Sequence, residues 1–170
     1  MKKIILLSAL VIFVAVAIFV LMGHSLVFFR QEAPARDYDF KVGQKVNPLR
    51  DFNFEEGNWT AFVVFSNDDR PHLPASIKNL RVIHCDDKVV LRELQDQLEL
   101  NYTGGDMTTV ASRMLIFKNE QLMFASGLMV ESGIEGFQSR DFGWIENSNL
   151  GSLAKILSKF QRTWSPLIIL

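Results

Sequence analysis

The amino-acid sequence predicts an α/β domain behind one N-terminal transmembrane helix, on three observations. An uncharged apolar run extends from Ile4 to Phe29. Two short segments rich in β-branched and aromatic residues, Thr60–Phe65 and Leu80–His84, show no polar alternation. Two later stretches carry apolar residues on one helical face.

The apolar run decides the first element. After Met1-Lys2-Lys3 no charged side chain occurs before Arg30. A helix needs about 20 apolar residues to cross a hydrocarbon layer of roughly 30 Å, because lipid offers the backbone no hydrogen-bond partner. A cleavable leader has an apolar stretch of about 7–15 residues followed by a small-residue cleavage site. Here Gly23-His24-Ser25 leads into Leu26-Val27-Phe28-Phe29 instead. Residues 1–29 are therefore expected to be a retained signal anchor that contacts the membrane through Ile4 to Phe29. Lys2 and Lys3 favour a cytoplasmic N-terminus. The chain is then a single-pass protein of the inner (cytoplasmic) membrane, its C-terminal domain on the periplasmic or extracytoplasmic side.

Residues 30–39, RQEAPARDYD, are polar and contain a proline, and are expected to be a linker. Residues 40–170 are long enough for one domain with its own core. All 19 acids, and every base of the 18 except Lys2 and Lys3, lie from Arg30 onward. That mildly acidic balance argues against a nucleic-acid surface. A single cysteine, Cys85, excludes an internal disulfide framework.

Within the domain, Thr60–Phe65 and Leu80–His84 are expected to be parallel neighbours buried on both faces. Asp87 is placed to cap a helix over Lys88 to Leu98, with Leu91, Leu94 and Leu98 on one stripe. Arg113–Phe117 and Leu122–Ala125 flank a short polar turn and predict an antiparallel hairpin. Residues 127–149 show too little pattern to assign. Leu150 to Gln161 predicts a final helix with Leu150, Leu153, Ile156, Leu157 and Phe160 on one apolar face. The closing Leu167-Ile168-Ile169-Leu170 either docks as an added strand or packs on a partner or membrane surface.

Lys41-Val42-Gly43-Gln44-Lys45-Val46-Asn47-Pro48-Leu49, Gly57-Asn58-Trp59, Phe62-Val63-Val64-Phe65 and the segment Met114 to Glu120 together resemble the membrane-anchored thioredoxin-like family, of the TlpA and cytochrome c maturation type. The resemblance implies a thioredoxin-like sandwich with a mixed central sheet. It also places a Cys-x-x-Cys near Arg70-Pro71-His72-Leu73 and a cis-proline at Ser112, and this chain has neither. Disulfide exchange needs an attacking and a resolving thiol, so dithiol chemistry is excluded. The chain reads as a non-catalytic binding or accessory protein of the cell envelope, with an envelope protein as partner and no cofactor implied.

The alternative is a metal-binding or single-thiol module. Asp68, Asp69 and His72 follow one expected strand, while His84, Cys85, Asp86 and Asp87 end the next. Were the strands parallel, these groups would meet at the carboxyl ends of the sheet, where α/β folds place ligands. Imidazole plus carboxylate suits a divalent metal, giving Asp68, Asp69, His72 and His84 as candidate ligands. Cys85 is either a reactive thiol or a small buried hydrophobe, and neighbouring Asp86 and Asp87 would raise its pKa. Gly104-Gly105 lacks the lysine of a phosphate loop and is expected to be a turn.

Overall fold

Turn residues punctuate the chain densely after Gly57, and between them short strands return on their neighbours. The computed structural model describes residues 2–22, 24–78, 80–98, 100–105 and 110–170, with side chains from Ile5 onward. The strands are β1 Leu26–Phe28, β2 Lys45–Val46, β3 Trp59–Val64, β4 Val82–Cys85, β5 Leu100–Tyr102, β6 Arg113–Lys118, β7 Gln121–Glu131, β8 Ile134–Ser139, β9 Gly143–Asn147, β10 Gln161–Arg162 and β11 Leu167–Ile169. The helices are α1 Lys2–Leu21, α2 Lys88–Gln97 and α3 Ser152–Leu157. Among the described residues nine strands form one sheet in the order β10-β4-β3-β6-β7-β8-β9-β5-β2, and β1 with β11 forms a second.

Every pairing in the large sheet is antiparallel. This corrects the expected mixed, thioredoxin-like sheet: β4 does lie beside β3, but it runs the opposite way, with Ala61 opposite Cys85 and Val64 opposite Val82. A parallel pair needs a crossover, usually a helix. Between β3 and β4 the chain instead makes a 3-10 turn at Arg70–His72 and further turns after Pro74. Prolines at 71 and 74 interrupt any longer helix there.

Successive residues of β3 point to opposite faces. Trp59, Ala61, Val63 and Phe65 enter a large core with Ile83, Leu91, Leu94, Met114, Ile116, Phe137, Ile145 and Leu157. Phe62 and Val64 face a smaller cluster with Val82, Leu115, Phe117, Leu122, Ile168 and Leu170. Burial on both faces is as expected, but α2 and α3 cover only the first, and the β1–β11 pair covers the second. In α2, Asp87 Oδ1 accepts from the Val89 and Val90 amides at 2.8 and 3.5 Å, the expected cap. Leu91 and Leu94 are fully buried. The β6–β7 hairpin also forms as expected, turning at Asn119 and Glu120, which both have positive φ. The last helix is shorter than expected, and Leu150 stays exposed while Leu153, Ile156, Leu157 and Phe160 are buried. The unassigned stretch supplies β8, β9 and the end of β7.

The expected transmembrane helix and signal anchor are corrected as well. Helix α1 ends at Leu21, and Leu26–Phe28 is a strand whose register pairs Leu26, Val27 and Phe28 with Leu167, Ile168 and Ile169. Among the described residues no helix is long and apolar enough to cross a membrane. The residues expected to be a linker are docked. Gln31 receives the Leu122 amide at 2.9 Å and donates to Glu120 O at 3.0 Å. Tyr38 and Phe40 pack against Phe142.

Candidate functional site

Asp68, Asp69 and His72 lie in the loop leaving β3. The Asp69 carboxylate accepts from the Ser112 amide at 2.9 Å and from its hydroxyl at 2.5 Å. The Ser66 amide donates to Ser112 Oγ at 2.9 Å, and the Asp69 amide donates to Ser66 Oγ at 3.0 Å. Asp69 therefore ties the β3–β4 loop to the start of β6, with its partners supplied by buried Ser112. The crevice beside it, lined by Phe65, Leu73, Leu128 and Val130, is closed by side chains. Asp68 and His72 are exposed.

His84 and Cys85 are neighbours in β4 and so face opposite sides of the sheet. His84 stacks on Phe62, ring centroids 5.9 Å apart, and its Nδ1 lies 3.1 Å from Thr163 Oγ1. Cys85 faces the large core, with its thiol 3.7 Å from Asp87 O. Burial pushes the thiol up to about 11, and the carboxylates of Asp87 and Asp86 push the same way against the backbone hydrogen bond. A thiol held protonated is a poor nucleophile near neutral pH.

The antiparallel pairing separates the two groups of candidates. Asp68, Asp69 and His72 leave the Val64 end of β3, which faces Val82, whereas Asp86 and Asp87 follow Cys85, which faces Ala61. Three residues of strand place these ends about 10 Å apart before the loops diverge. Among the described residues no three His, Cys, Asp or Glu side chains are grouped to hold a metal ion. The candidate ligands are thus brought to two ends of one strand pair, not to one site.

The polar groups that organise the fold lie elsewhere. Glu135, 2% exposed, accepts from the Leu153 and Ala154 amides at 3.2 Å each and from Asn147 Nδ2 at 2.8 Å. It caps α3 from a neighbouring strand, where Gly151 has no side chain to do so. Within Ile134-Glu135-Gly136-Phe137 it reads as an ordinary solvated strand residue, so no signal marked it. Gln95 Nε2 donates to the carbonyls of Leu49, Arg50 and Phe52 at 2.6, 3.1 and 2.9 Å, pinning the loop before β3. Beside it lies an open polar depression of about 520 Å³ bordered by Asn47, Arg50, Asp51, Asn53 and Asp96.

The remaining distinctive surface is apolar. Leu10, Val11, Ile12 and Phe13 of α1 are exposed, and four consecutive residues spread right around a helix. Arg162 Nη2 donates to Val20 O at 2.7 Å and Leu21 O at 3.2 Å, satisfying carbonyls at the end of α1. Its guanidinium carbon also sits 3.8 Å from the ring centroid of exposed Trp164. Trp59 and Trp144 are buried. No family model matches the chain, and neither a characterised protein nor a solved structure does.

Proposed function

We propose that this chain is a non-catalytic binding or accessory protein of the cell envelope, acting through its surface on another envelope protein. The observation that carries the reading is the dispersal of its chemistry-bearing side chains. Asp69 is committed to Ser112, Asp87 to α2, Glu135 to α3, and Cys85 is buried as a protonated thiol. A catalytic or metal centre needs such groups converging on one point within a few ångströms. Meanwhile α1 exposes apolar side chains around its circumference, and a helix of that kind is stable when its surroundings cover it.

Cross-linking in intact cells, followed by purification of the full chain, tests the reading. The expected result is one envelope protein recovered in fixed ratio, unchanged by Asp68→Asn, His72→Ala, His84→Ala or Cys85→Ser. Stoichiometric bound metal, or loss of cellular function in one of those variants with folding intact, would favour the metal or single-thiol module. Recovery of lipid alone would count against a protein partner.

A further inference from the structure

The two-stranded sheet has one face on the domain and one in solvent. Ile168 and Val27 pack inward with Val64, Val82 and Leu115. On the outer face, the register pairs Leu26 with Leu167 and Phe28 with Ile169, and these four are 57%, 49%, 54% and 62% exposed. Phe29 and Trp164 border them and are also exposed. Two of these rings carry an arginine: Arg113 lies 4.9 Å from the Phe29 centroid, and Arg162 lies over Trp164. Arg30 follows Phe29 and is exposed, with Glu32 the acid nearest it in the chain.

We propose that this outer face, with Trp164, rests on the headgroup layer of an anionic lipid surface, where Arg30 and Arg113 meet the phosphates. It is a surface contact of the strand pair, not a span, and it stands apart from the identity of any protein partner. An apolar patch with aromatic members and arginines laid along its rim has the layout of an interfacial contact, apolar atoms inward and guanidinium groups at headgroup height. Charge selects the occupant. A second copy meeting this face about a two-fold axis would bring the same arginines against each other, because such a contact uses one patch twice. An anionic lipid surface supplies the opposite sign, and each nearby arginine strengthens attachment about fivefold.

The test uses the full chain with vesicles of phosphatidylcholine and phosphatidylglycerol in equal parts, their acyl chains brominated to quench tryptophan. Buried Trp59 and Trp144 serve as internal constants. The expected result is quenching that Trp164→Phe abolishes and that rising salt weakens. Arg30→Gln with Arg113→Gln should lower the docked-to-lifted ratio, read from the quenched fraction, on the order of twentyfold. An unchanged melting profile shows that the variant still folds. Unquenched Trp164 on vesicles that retain the chain would overturn the proposal. So would equal quenching on phosphatidylcholine alone with the double variant unaffected. Concentration-dependent shielding of Trp164 from acrylamide in lipid-free protein would assign the face to a second copy instead.

Discussion

The two faces of the large sheet are covered very differently. On one side, α2, α3 and the pinned loop before β3 bury Trp59, Phe65, Leu94, Phe137 and Leu157 in a continuous core. On the other, two strands of three residues each lay Val27 and Ile168 over a small cluster. Hydrophobic stabilisation scales with apolar area removed from water, so the first face holds the fold. The thin cover leaves its own outer side apolar and exposed. The weight of the core is thus divided unequally between the faces, and of the candidate metal ligands Asp69 ties the β3–β4 loop to β6 while His84 stacks on Phe62 on the second face.

The hardest test of that division is Leu94→Asp. A carboxylate buried without a partner costs several kcal/mol, on the order of a domain's whole stability, and circular dichroism should show an unfolded chain. Glu135→Ala should cost about 2–4 kcal/mol by leaving the Leu153 and Ala154 amides of α3 without their acceptor. Chemical denaturation measures it, with Glu135→Gln losing less. For Cys85, a pKa of about 11 against an ordinary 9.0 means roughly a hundredfold less thiolate at neutral pH. Alkylation of the native chain should be correspondingly slow and should accelerate as pH climbs toward 11. Because folding raises this pKa, the thiol's contribution to stability is complete below the unfolded value and fades as pH rises through the folded one.

On the thin face the effects shrink. Ile168→Ala should cost about 2 kcal/mol, the low end for a buried isoleucine, and speed hydrogen exchange around β1 and β11, leaving α2 protected. If α2 loosened equally, the two faces would be one cooperative unit and the division would fail. The smallest effect belongs to Glu93, whose carboxyl is held below the usual range chiefly by its hydrogen bond with Lys159. That contribution is present above the unfolded carboxyl pKa and fades as pH falls through the lower folded value. Lys159→Gln should flatten the acid limb of a melting-temperature profile slightly.

Several elements were legible in the sequence because one local signal determined each. Asp87 before Leu91 and Leu94 specified α2 and its cap, and the polar turn at Asn119-Glu120 specified the β6–β7 hairpin. The direction of β4 was not legible, since burial on both faces fits a parallel or an antiparallel neighbour. From that one ambiguity came the apparent meeting of His72 and His84. Strands β8 and β9 were hidden by Gly133, Gly136 and Gly143, which dilute the apolar pattern. Gly136 is needed because Trp144 and the Ile145 carbonyl occupy the space where its Cβ would go. Tyr38 was a lone aromatic in a polar stretch, and only the tertiary structure showed that it docks on Phe40 and Phe142. Continuous apolar composition masked the end of α1 at Leu21 and the strand beyond it.

The central claim is that antiparallel pairing of β3 with β4 keeps the candidate residues apart. Cross-strand backbone Overhauser contacts in the isotopically labelled chain test it most directly. The account predicts contacts joining Ala61 with Cys85 and Val64 with Val82, in descending register. Contacts in ascending register, with Phe65 beside Cys85, would contradict it and bring Asp69 and His72 back toward Asp86.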